Sequence, residues 1–245
     1  MNPYSAPDDF RKMICYVDIE HEKILQNPKK RPDLLARRME VKLRLEEISG
    51  RACLLQRYSR VTRQRLREWG IRALVISGCA ADWSEYNEAG LAEMYRIIRA
   101  ADLPILGLCG GHQLIAMAHD TPLGTMRRLE EGEEDVYPSL GPGYFKEWDY
   151  TPVRVVKADP VFEGLGEEPV FLEAHYWEVK EVPPGFELLA STDACRIQAI
   201  RRAGALVYGT QFHPEYYYLS EDEETLHDDG RKLLTNFFRL AGLLE

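Results

Sequence analysis

The feature that most constrains this chain is an apolar segment that leads directly into a cysteine and two glycines. Residues 105–108 read Ile-Leu-Gly-Leu and are followed by Cys109, Gly110, Gly111 and a helix-like stretch at 112–118. A nucleophile at the tip of a sharp strand-to-helix turn has a strained backbone, so its neighbours must be small. The pattern therefore predicts a nucleophile elbow with Cys109 at its tip, where free amides at the helix start favour a thiolate.

Two plainer interpretations of this segment exist. A lone cysteine beside a glycine turn is more often a buried structural residue, but the strand before it and the helix-like stretch after it favour the elbow. Cys109 and His112 also have the spacing of half a zinc site. The sequence offers no second pair of ligands, so we expect neither a metal nor another cofactor.

Residues 107–113, Gly-Leu-Cys-Gly-Gly-His-Gln, resemble the G-x-C-x-G-x-Q signature of the class I, triad-type glutamine amidotransferases. That family pairs its cysteine with a late His-Pro-Glu, and this chain has His213, Pro214 and Glu215 near its end. The resemblance extends from about residue 14 to the C-terminus. It implies an α/β fold: a doubly wound, mostly parallel, flavodoxin-like sheet flanked by helices, with added antiparallel strands in the C-terminal half.

The resemblance also implies a catalytic mechanism. Cys109 would attack the side-chain carboxamide of glutamine and form a γ-glutamyl thioester. His213 would act as the base, release ammonia and then activate water, while Glu215 would orient the imidazole. A His-Pro-Glu alone is a common tripeptide, but here it follows a predicted strand and comes after the elbow in the expected order.

Further site residues follow from the same resemblance. The backbone amides of Gly110 and Cys79 are the predicted oxyanion donors, although the family usually has a glycine where Cys79 stands. Gln113, Tyr176 and Trp177 are the predicted substrate contacts. Tyr176 also replaces a frequent glycine, which indicates a pocket of different shape. Nearby, His175 is an isolated histidine on a strand edge, for which a structural role is the default.

Composition excludes several other classes of protein. The chain has 245 residues, 45% of them hydrophobic, which suits one domain spanning residues 1–245. The net charge of −9 argues against a general nucleic-acid or anionic-membrane surface. The chain has no signal-like N-terminus and no membrane-length apolar run, so we expect a cytoplasmic location. Five scattered cysteines form no disulfide framework.

Apolar runs alternate with helix-like segments, which is typical of a doubly wound sheet. We expect strands at 13–19, 53–58, 73–78, 105–108, 153–156, 170–172, 186–190, 197–200 and 205–208, and helices ending at Gly50 and spanning 62–69, 84–101 and 229–240. Residues 1–12 are predicted to be flexible. Residues 21–33 are interpreted as an insertion, either a partner surface or a loop. Residues 120–150, with the acidic stretch 130–135, are interpreted as a surface loop or as a segment that lies near the substrate or a partner domain.

Three functions remain open at this point. The first is a glutaminase subunit that passes ammonia to a separate acceptor synthetase. The second is a free-standing γ-glutamyl hydrolase acting on γ-glutamyl amines or peptides. The third is a binding or regulatory protein without activity, which the complete set of triad residues argues against. The sequence does not indicate the oligomeric state.

Overall fold

The computed structural model describes residues 12–217 and 228–244. The segment 1–12, predicted to be flexible, lies outside these residues except for its last member. Within them no helix is long and apolar enough to cross a membrane.

Strands and helices alternate through the first half of the chain, as predicted. The strands are β1 (Met13–Asp18), β2 (Cys53–Arg57), β3 (Ile71–Ile76), β4 (Ile105–Leu108), β5 (Leu123–Thr125), β6 (Glu147–Pro152), β7 (Arg154–Val155), β8 (Val170–His175), β9 (Trp177–Val179), β10 (Phe186–Ser191), β11 (Ala199–Arg202) and β12 (Val207–Thr210). The helices are α1 (Glu22–Gln26), α2 (Arg31–Ser49), α3 (Arg63–Glu68), α4 (Glu88–Ala100), α5 (Gly110–Ala118) and α6 (Asp229–Leu240).

Eight strands form the main sheet in the order β2-β1-β3-β4-β12-β11-β10-β7. The neighbours from β2 to β12 pair in parallel, whereas β11, β10 and β7 are added antiparallel. Two further pairs, β5 with β9 and β6 with β8, are antiparallel and separate from this sheet. The predicted α/β class, with a mostly parallel sheet and C-terminal antiparallel strands, is confirmed.

Helices cover both faces of the sheet, which is why its central parallel strands are largely apolar. In β1, Ile14 and Tyr16 face a core shared with α2 and α6, while Cys15 and Val17 face a second core shared with α3, α4 and α5. A parallel strand buried on both faces needs apolar residues at every position rather than at alternate ones. The continuous apolar run at the start of the chain therefore corresponds to a central strand.

Helix α2 carries two apolar rows, and only one of them is core. It ends at Gly50, whose φ of 62° is the left-handed cap that glycine favours. One row is buried against the sheet: Val41, Leu45 and Ile48. The other row is exposed to solvent: Leu35 (44%), Met39 (49%) and Leu43 (55%). The four-residue repeat of the second row therefore lies on the outer face of the helix.

Two segments that the sequence left irregular contain regular structure. The insertion 21–33 holds α1, which the side chain of His21 caps, and the first turn of α2. The predicted surface loop 120–150 contains β5 and most of β6. Strand β6, with the sequence Glu-Trp-Asp-Tyr-Thr-Pro, places aromatic residues at alternate positions, but its burial does not follow that alternation: Glu147 is buried and Trp148 is exposed. Its pairing with β8, further along the chain, defines it instead.

Glycines allow the elbow to pack against the neighbouring strand. A Cβ added to Gly111 would lie 2.4 Å from the carbonyl oxygen of Ile76, and one added to Gly107 would lie 2.5 Å from the backbone of Gly111. Backbone atoms cannot move aside as flexible side chains do. Helix α5 can therefore approach β3 and β4 this closely only with glycine at both positions.

We expect Gly111→Ala to destabilise the fold by about 2–3 kcal/mol, because the new methyl group would meet the Ile76 carbonyl. The matched control is Gly90→Ala in α4, where an added Cβ has no atom within 4 Å. That substitution should be neutral or stabilising by about 0.5–1 kcal/mol, since alanine favours helices. Chemical denaturation of the two variants measures both effects; equal stability would contradict the packing argument.

Candidate active site

Three strands end beside one another and bring the predicted site residues together. Strand β4 leads into Cys109, β3 leads into Gly78 and Cys79, and β12 leads into Gln211 and His213. Because these strands are parallel neighbours, their carboxyl ends meet at one edge of the sheet, which is where open α/β sheets form their sites. Residues more than 100 positions apart in the sequence thus lie together at one site.

Cys109 is at the tip of the elbow in a strained conformation, with φ 48° and ψ −102°. Backbone hydrogen bonds hold it: its N–H donates to the carbonyl of Thr210 (2.7 Å), and its carbonyl accepts from the amide of Gln113 (3.0 Å). Such strain in a residue other than glycine costs about 1–3 kcal/mol and persists only where the surrounding structure enforces it. The predicted nucleophile elbow is present.

His213 lies between Cys109 and Glu215. Its Nδ1 is 2.8 Å from Oε1 of Glu215, and its ring lies beside the Cys109 side chain, since a Cβ built on Gly78 would lie 3.0 Å from the ring and 3.4 Å from Cβ of Cys109. Burial lowers the pKa of His213, but the Glu215 carboxylate and the Cys109 sulfur outweigh burial and raise it well above its usual range. The geometry is that of a cysteine–histidine–carboxylate triad in which the imidazolium is favoured.

Backbone contacts fix the segment that carries the triad histidine and glutamate. The amide of His213 donates to the carbonyl of Leu172 (2.8 Å). Arg44 of helix α2 donates to the carbonyl of Glu215 (2.7 Å) and stacks over the ring of Tyr217. The triad is therefore braced by two elements, β8 and α2, that the sequence motif itself does not include.

The loop after β3 presents one backbone amide to the elbow. The carbonyl of Gly78 accepts hydrogen bonds from Arg38 (2.8 Å) and from the Ser77 hydroxyl (2.8 Å). In a trans peptide the N–H points opposite to the C=O, so the Cys79 amide points away from Arg38. A Cβ built on Gly110 would lie 2.9 Å from that amide nitrogen, which places the two predicted oxyanion donors side by side.

Glu20 takes up the next amides of the same loop. Its carboxylate accepts from the N–H of Ala80 (2.8 Å) and of Ala81 (3.2 Å). No hydrogen bond from the Cys79 or Gly110 amide is found within residues 12–217 and 228–244. Both amides are thus available to a developing oxyanion, although their role as its donors stays a prediction.

The Cys79 side chain is a poor candidate for a second nucleophile. Burial, together with the nearby Glu20 carboxylate, raises the pKa of the Cys79 thiol well above its usual range. A thiol must ionise before it attacks, so Cys79 is kept in its unreactive form. Its contribution to the site is its backbone amide.

A narrow cavity of about 20 Å³ adjoins Cys109, well below the volumes usual for ligand pockets. All three predicted substrate contacts line it: Gln113, Tyr176 and Trp177. Asp82 links two residues of the cavity wall, since its carboxylate accepts hydrogen bonds from the Tyr176 hydroxyl (2.9 Å) and from the Trp177 indole N–H (3.3 Å). Tyr176 therefore closes the wall of the pocket, and the contacts of these three residues with substrate stay a prediction.

Several residues of the site have no counterpart in the sequence motifs. They are Glu20, Arg38, Asp82, Trp83 and Gln211. Glu20 follows the first strand, Asp82 and Trp83 follow the third, and Gln211 follows the last parallel strand. Their positions just after predicted strands were therefore the sequence signal that could have identified them as site residues. Arg38 gave no signal, because an arginine within a charged helix is normally solvated.

His175 belongs to a buried ionic cluster that borders the cavity. Its Nε2 lies 3.1 Å from Glu147 and 3.3 Å from Glu173, and its Nδ1 lies 3.0 Å from the Trp177 carbonyl. Burial lowers the pKa of His175, but the two carboxylates raise it to about 10. Cys195 lies within 4.8 Å of Glu147 and His175. The contacts of His175 are those of a structural ion pair.

His112 does not share the site with Cys109. It is fully buried and packs against Gly209, where an added Cβ would lie 2.6 Å from its Nδ1. Burial lowers the pKa of His112 to about 3, so its ring is neutral at physiological pH. A shared metal site of Cys109 and His112 is therefore not supported by their positions.

This fold and triad define an enzyme that uses a cysteine nucleophile on an α/β scaffold. The sequence profile of one family, described as "Glutamine amidotransferase class-I", matches residues 49–233. The chain belongs to the class I glutamine amidotransferase family, which confirms the resemblance of the elbow and of the His-Pro-Glu segment.

Its relatives include proteins that share one name, that of a subunit of the glutamine-hydrolysing GMP synthase. The chain is 34% identical over 168 residues to this protein from Methanosarcina barkeri, which covers 69% of this chain and 72% of that protein. It is 34% identical over 148 residues to the protein of the same name from Archaeoglobus fulgidus, covering 60% and 68% respectively.

Solved structures support the fold. A crystal structure from Thermoplasma acidophilum, described as that of a GMP synthase subunit, matches with a TM-score of 0.67 at 23% identity, covering 94% of both chains. A glutamine amido transferase from Methylobacillus flagellatus matches with a TM-score of 0.61 at 15% identity, covering 95% of both.

We expect Arg38→Met to lower kcat for glutamine hydrolysis about 10- to 100-fold with little change in KM. The Gly78 carbonyl would lose its partner, and the Cys79 amide would lose its fixed direction toward the transition-state oxyanion. Asp18, which also pairs with Arg38, would keep Arg57 as a partner. The control is Arg201→Met, which breaks a pair with Asp159 away from the site. An unchanged kcat in Arg38→Met would contradict the assignment.

The His175 cluster predicts a pH dependence of stability. The pKa of His175 is 6.5 ordinarily and about 10 in the folded protein. Because its pKa is raised in the folded state, His175 stabilises the folded protein fully below about pH 6.5, and this stabilisation is lost as pH rises through 10. At pH 6, His175→Gln should cost about 3–5 kcal/mol. Between pH 6.5 and 10 the unfolding free energy of His175→Gln should fall less steeply with pH than that of the wild type. Equal slopes of unfolding free energy against pH in the two proteins would refute the ion pair.

Proposed function

We propose that the protein hydrolyses glutamine through Cys109 and supplies the ammonia to a separate acceptor chain. The observation that carries this proposal is that Cys109, His213 and Glu215 lie side by side, with a hydrogen bond between His213 and Glu215 and a small cavity next to Cys109, in a chain of the class I glutamine amidotransferase family. In the first step the Cys109 thiolate attacks the side-chain carbonyl carbon of glutamine, and the carbonyl oxygen becomes the oxyanion. The amides of Gly110 and Cys79 stabilise its charge.

His213 moves the protons. As imidazolium it donates a proton to the departing nitrogen, ammonia leaves, and a γ-glutamyl thioester remains on Cys109. The neutral ring then takes a proton from water, whose oxygen attacks the thioester carbonyl. Collapse of this second intermediate releases glutamate and restores the thiolate–imidazolium pair. Glu215 holds the ring orientation throughout and stabilises its charged form.

The names of the relatives support a separate acceptor. Each of the two archaeal relatives is named as one subunit of an enzyme that hydrolyses glutamine and makes GMP. We infer that this chain likewise works beside a synthetase subunit that consumes the ammonia.

The narrow cavity beside Cys109 has no spare space for γ-glutamyl compounds bulkier than glutamine. Its wall is closed by Tyr176 and Trp177, which both donate to Asp82. Gly141 also packs directly on the ring of Tyr176, where an added Cβ would lie 2.4 Å from the ring. A γ-glutamyl hydrolase therefore gains no support from the pocket.

The test is ammonia release from glutamine by the purified protein, beside Cys109→Ala and Cys53→Ala, with γ-glutamyl amines as competing substrates. We expect release from glutamine that falls at least about 10³-fold in Cys109→Ala and persists in Cys53→Ala, since Cys53 lies in β2 away from the site. Activity restricted to γ-glutamyl amines, or activity that survives in Cys109→Ala, would overturn the proposal.

A further inference from the structure

The amide of Gln211 reaches the sulfur of the nucleophile. Gln211 lies one residue beyond β12 and is fully buried, and its Nε2 is 3.5 Å from Sγ of Cys109. Its own backbone amide donates to the carbonyl of Gln198 (2.7 Å), which fixes where the side chain begins. Gln211 can donate a hydrogen bond to Cys109 only if the nitrogen, rather than the oxygen, of its side-chain amide faces the sulfur.

Trp83 determines which way the neighbouring glutamine points. The indole Nε1 of Trp83 is 2.6 Å from Oε1 of Gln113, and both side chains are buried. An indole N–H can only donate, so the atom of Gln113 that faces it must be the amide oxygen. The nitrogen of Gln113 therefore faces the opposite side.

A second contact fixes the same orientation independently. Nε2 of Gln113 is 2.8 Å from the carbonyl oxygen of Trp177 and 2.9 Å from Oε1 of Gln211. A carbonyl can only accept, so it too requires the nitrogen of Gln113 at this position. Both protons of that amide are then used, one by Trp177 and the other by Gln211.

The orientation of Gln211 follows from these two anchors. Because Gln113 donates toward it, the atom of Gln211 that faces Gln113 is the oxygen, and the nitrogen must face Cys109. The four side chains thus form a directional series, Trp83 to Gln113 to Gln211 to Cys109, in which each donates to the next. Buried hydrogen bonds in series polarise one another.

We infer that Gln211 is a catalytic residue that donates a hydrogen bond to the Cys109 thiolate, and that Trp83 and Gln113 are positioning residues that keep its amide in the donating orientation. The inference rests on the proposed function in that it takes Cys109 as the nucleophile. A donor favours the ionised over the neutral form of its acceptor. No proton is transferred: the hydrogen bond stabilises the thiolate before attack and again when the thioester is cleaved.

The experiment measures thiolate formation without requiring turnover. Iodoacetamide alkylates the free protein over a range of pH, and peptide mass spectrometry follows Cys109 separately from the other four cysteines. The variants are Gln211→Met, which removes the donor while keeping the length of the side chain, and Trp83→Phe, which removes only the indole N–H. The control is Trp177→Phe, an indole on the same cavity wall whose N–H donates to Asp82 outside the series. All three substitutions conserve charge.

In Gln211→Met we expect alkylation of Cys109 at pH 7 to slow about 10-fold, with the half-maximal pH moved upward by about one unit. Trp83→Phe should shift the profile in the same direction by a smaller amount, and Trp177→Phe should leave it in place. A profile in Gln211→Met that coincides with the wild type, in protein with wild-type thermal unfolding, would overturn the inference. So would an equal shift in Trp177→Phe.

The two proposals fail separately. Ammonia release with no shift in any alkylation profile would contradict the donor series and leave the glutaminase in place. A shifted profile in a protein that releases no ammonia would support the series and contradict the proposed function.

Discussion

The site depends on the backbone hydrogen bond from the Cys109 amide to the Thr210 carbonyl. It continues the parallel pairing of β4 and β12 one residue past the end of β4, onto the last residue of β12. Because of it, the elbow and the segment carrying Gln211 and His213 leave the sheet side by side, although about 100 residues separate them in sequence. Close packing of α5 on the β3 and β4 backbones then holds the strained conformation of Cys109.

Buried polar groups do the finer positioning around this frame. Arg38 and Glu20 hydrogen-bond different groups of the loop after β3. Arg38 donates to the carbonyl of Gly78, and Glu20 accepts from the two amides that follow Cys79. Between them they leave the Cys79 amide facing the elbow. Arg44, from the same helix as Arg38, braces the carbonyl of Glu215. Helix α2 therefore contacts both the loop with the predicted oxyanion donor and the end of the triad, while its row of Leu35, Met39 and Leu43 stays exposed.

Sequence analysis predicted what local patterns determine. The buried parallel strands, the elbow at Cys109 and the terminal helix at 229–240 each have a signature within about ten residues. It missed what arises only from distant contacts. Strand β6 is defined by its partner β8, and the role of Arg38 requires Gly78, 40 positions away. The orientation of Gln211 requires Trp83, more than 100 positions away, so neither glutamine amide could be assigned a direction from the sequence.

The most direct test of the central claim is covalent capture of the nucleophile by a glutamine analogue that carries an electrophilic group in place of the carboxamide. Cys109 and Cys79 both border the cavity, so the position of the adduct discriminates between them. Intact-mass measurement with peptide mapping should find one adduct, on Cys109, blocked by excess glutamine and absent in Cys109→Ala. An adduct on Cys79, or none on Cys109 in folded protein, would contradict the assignment of Cys109 as the nucleophile.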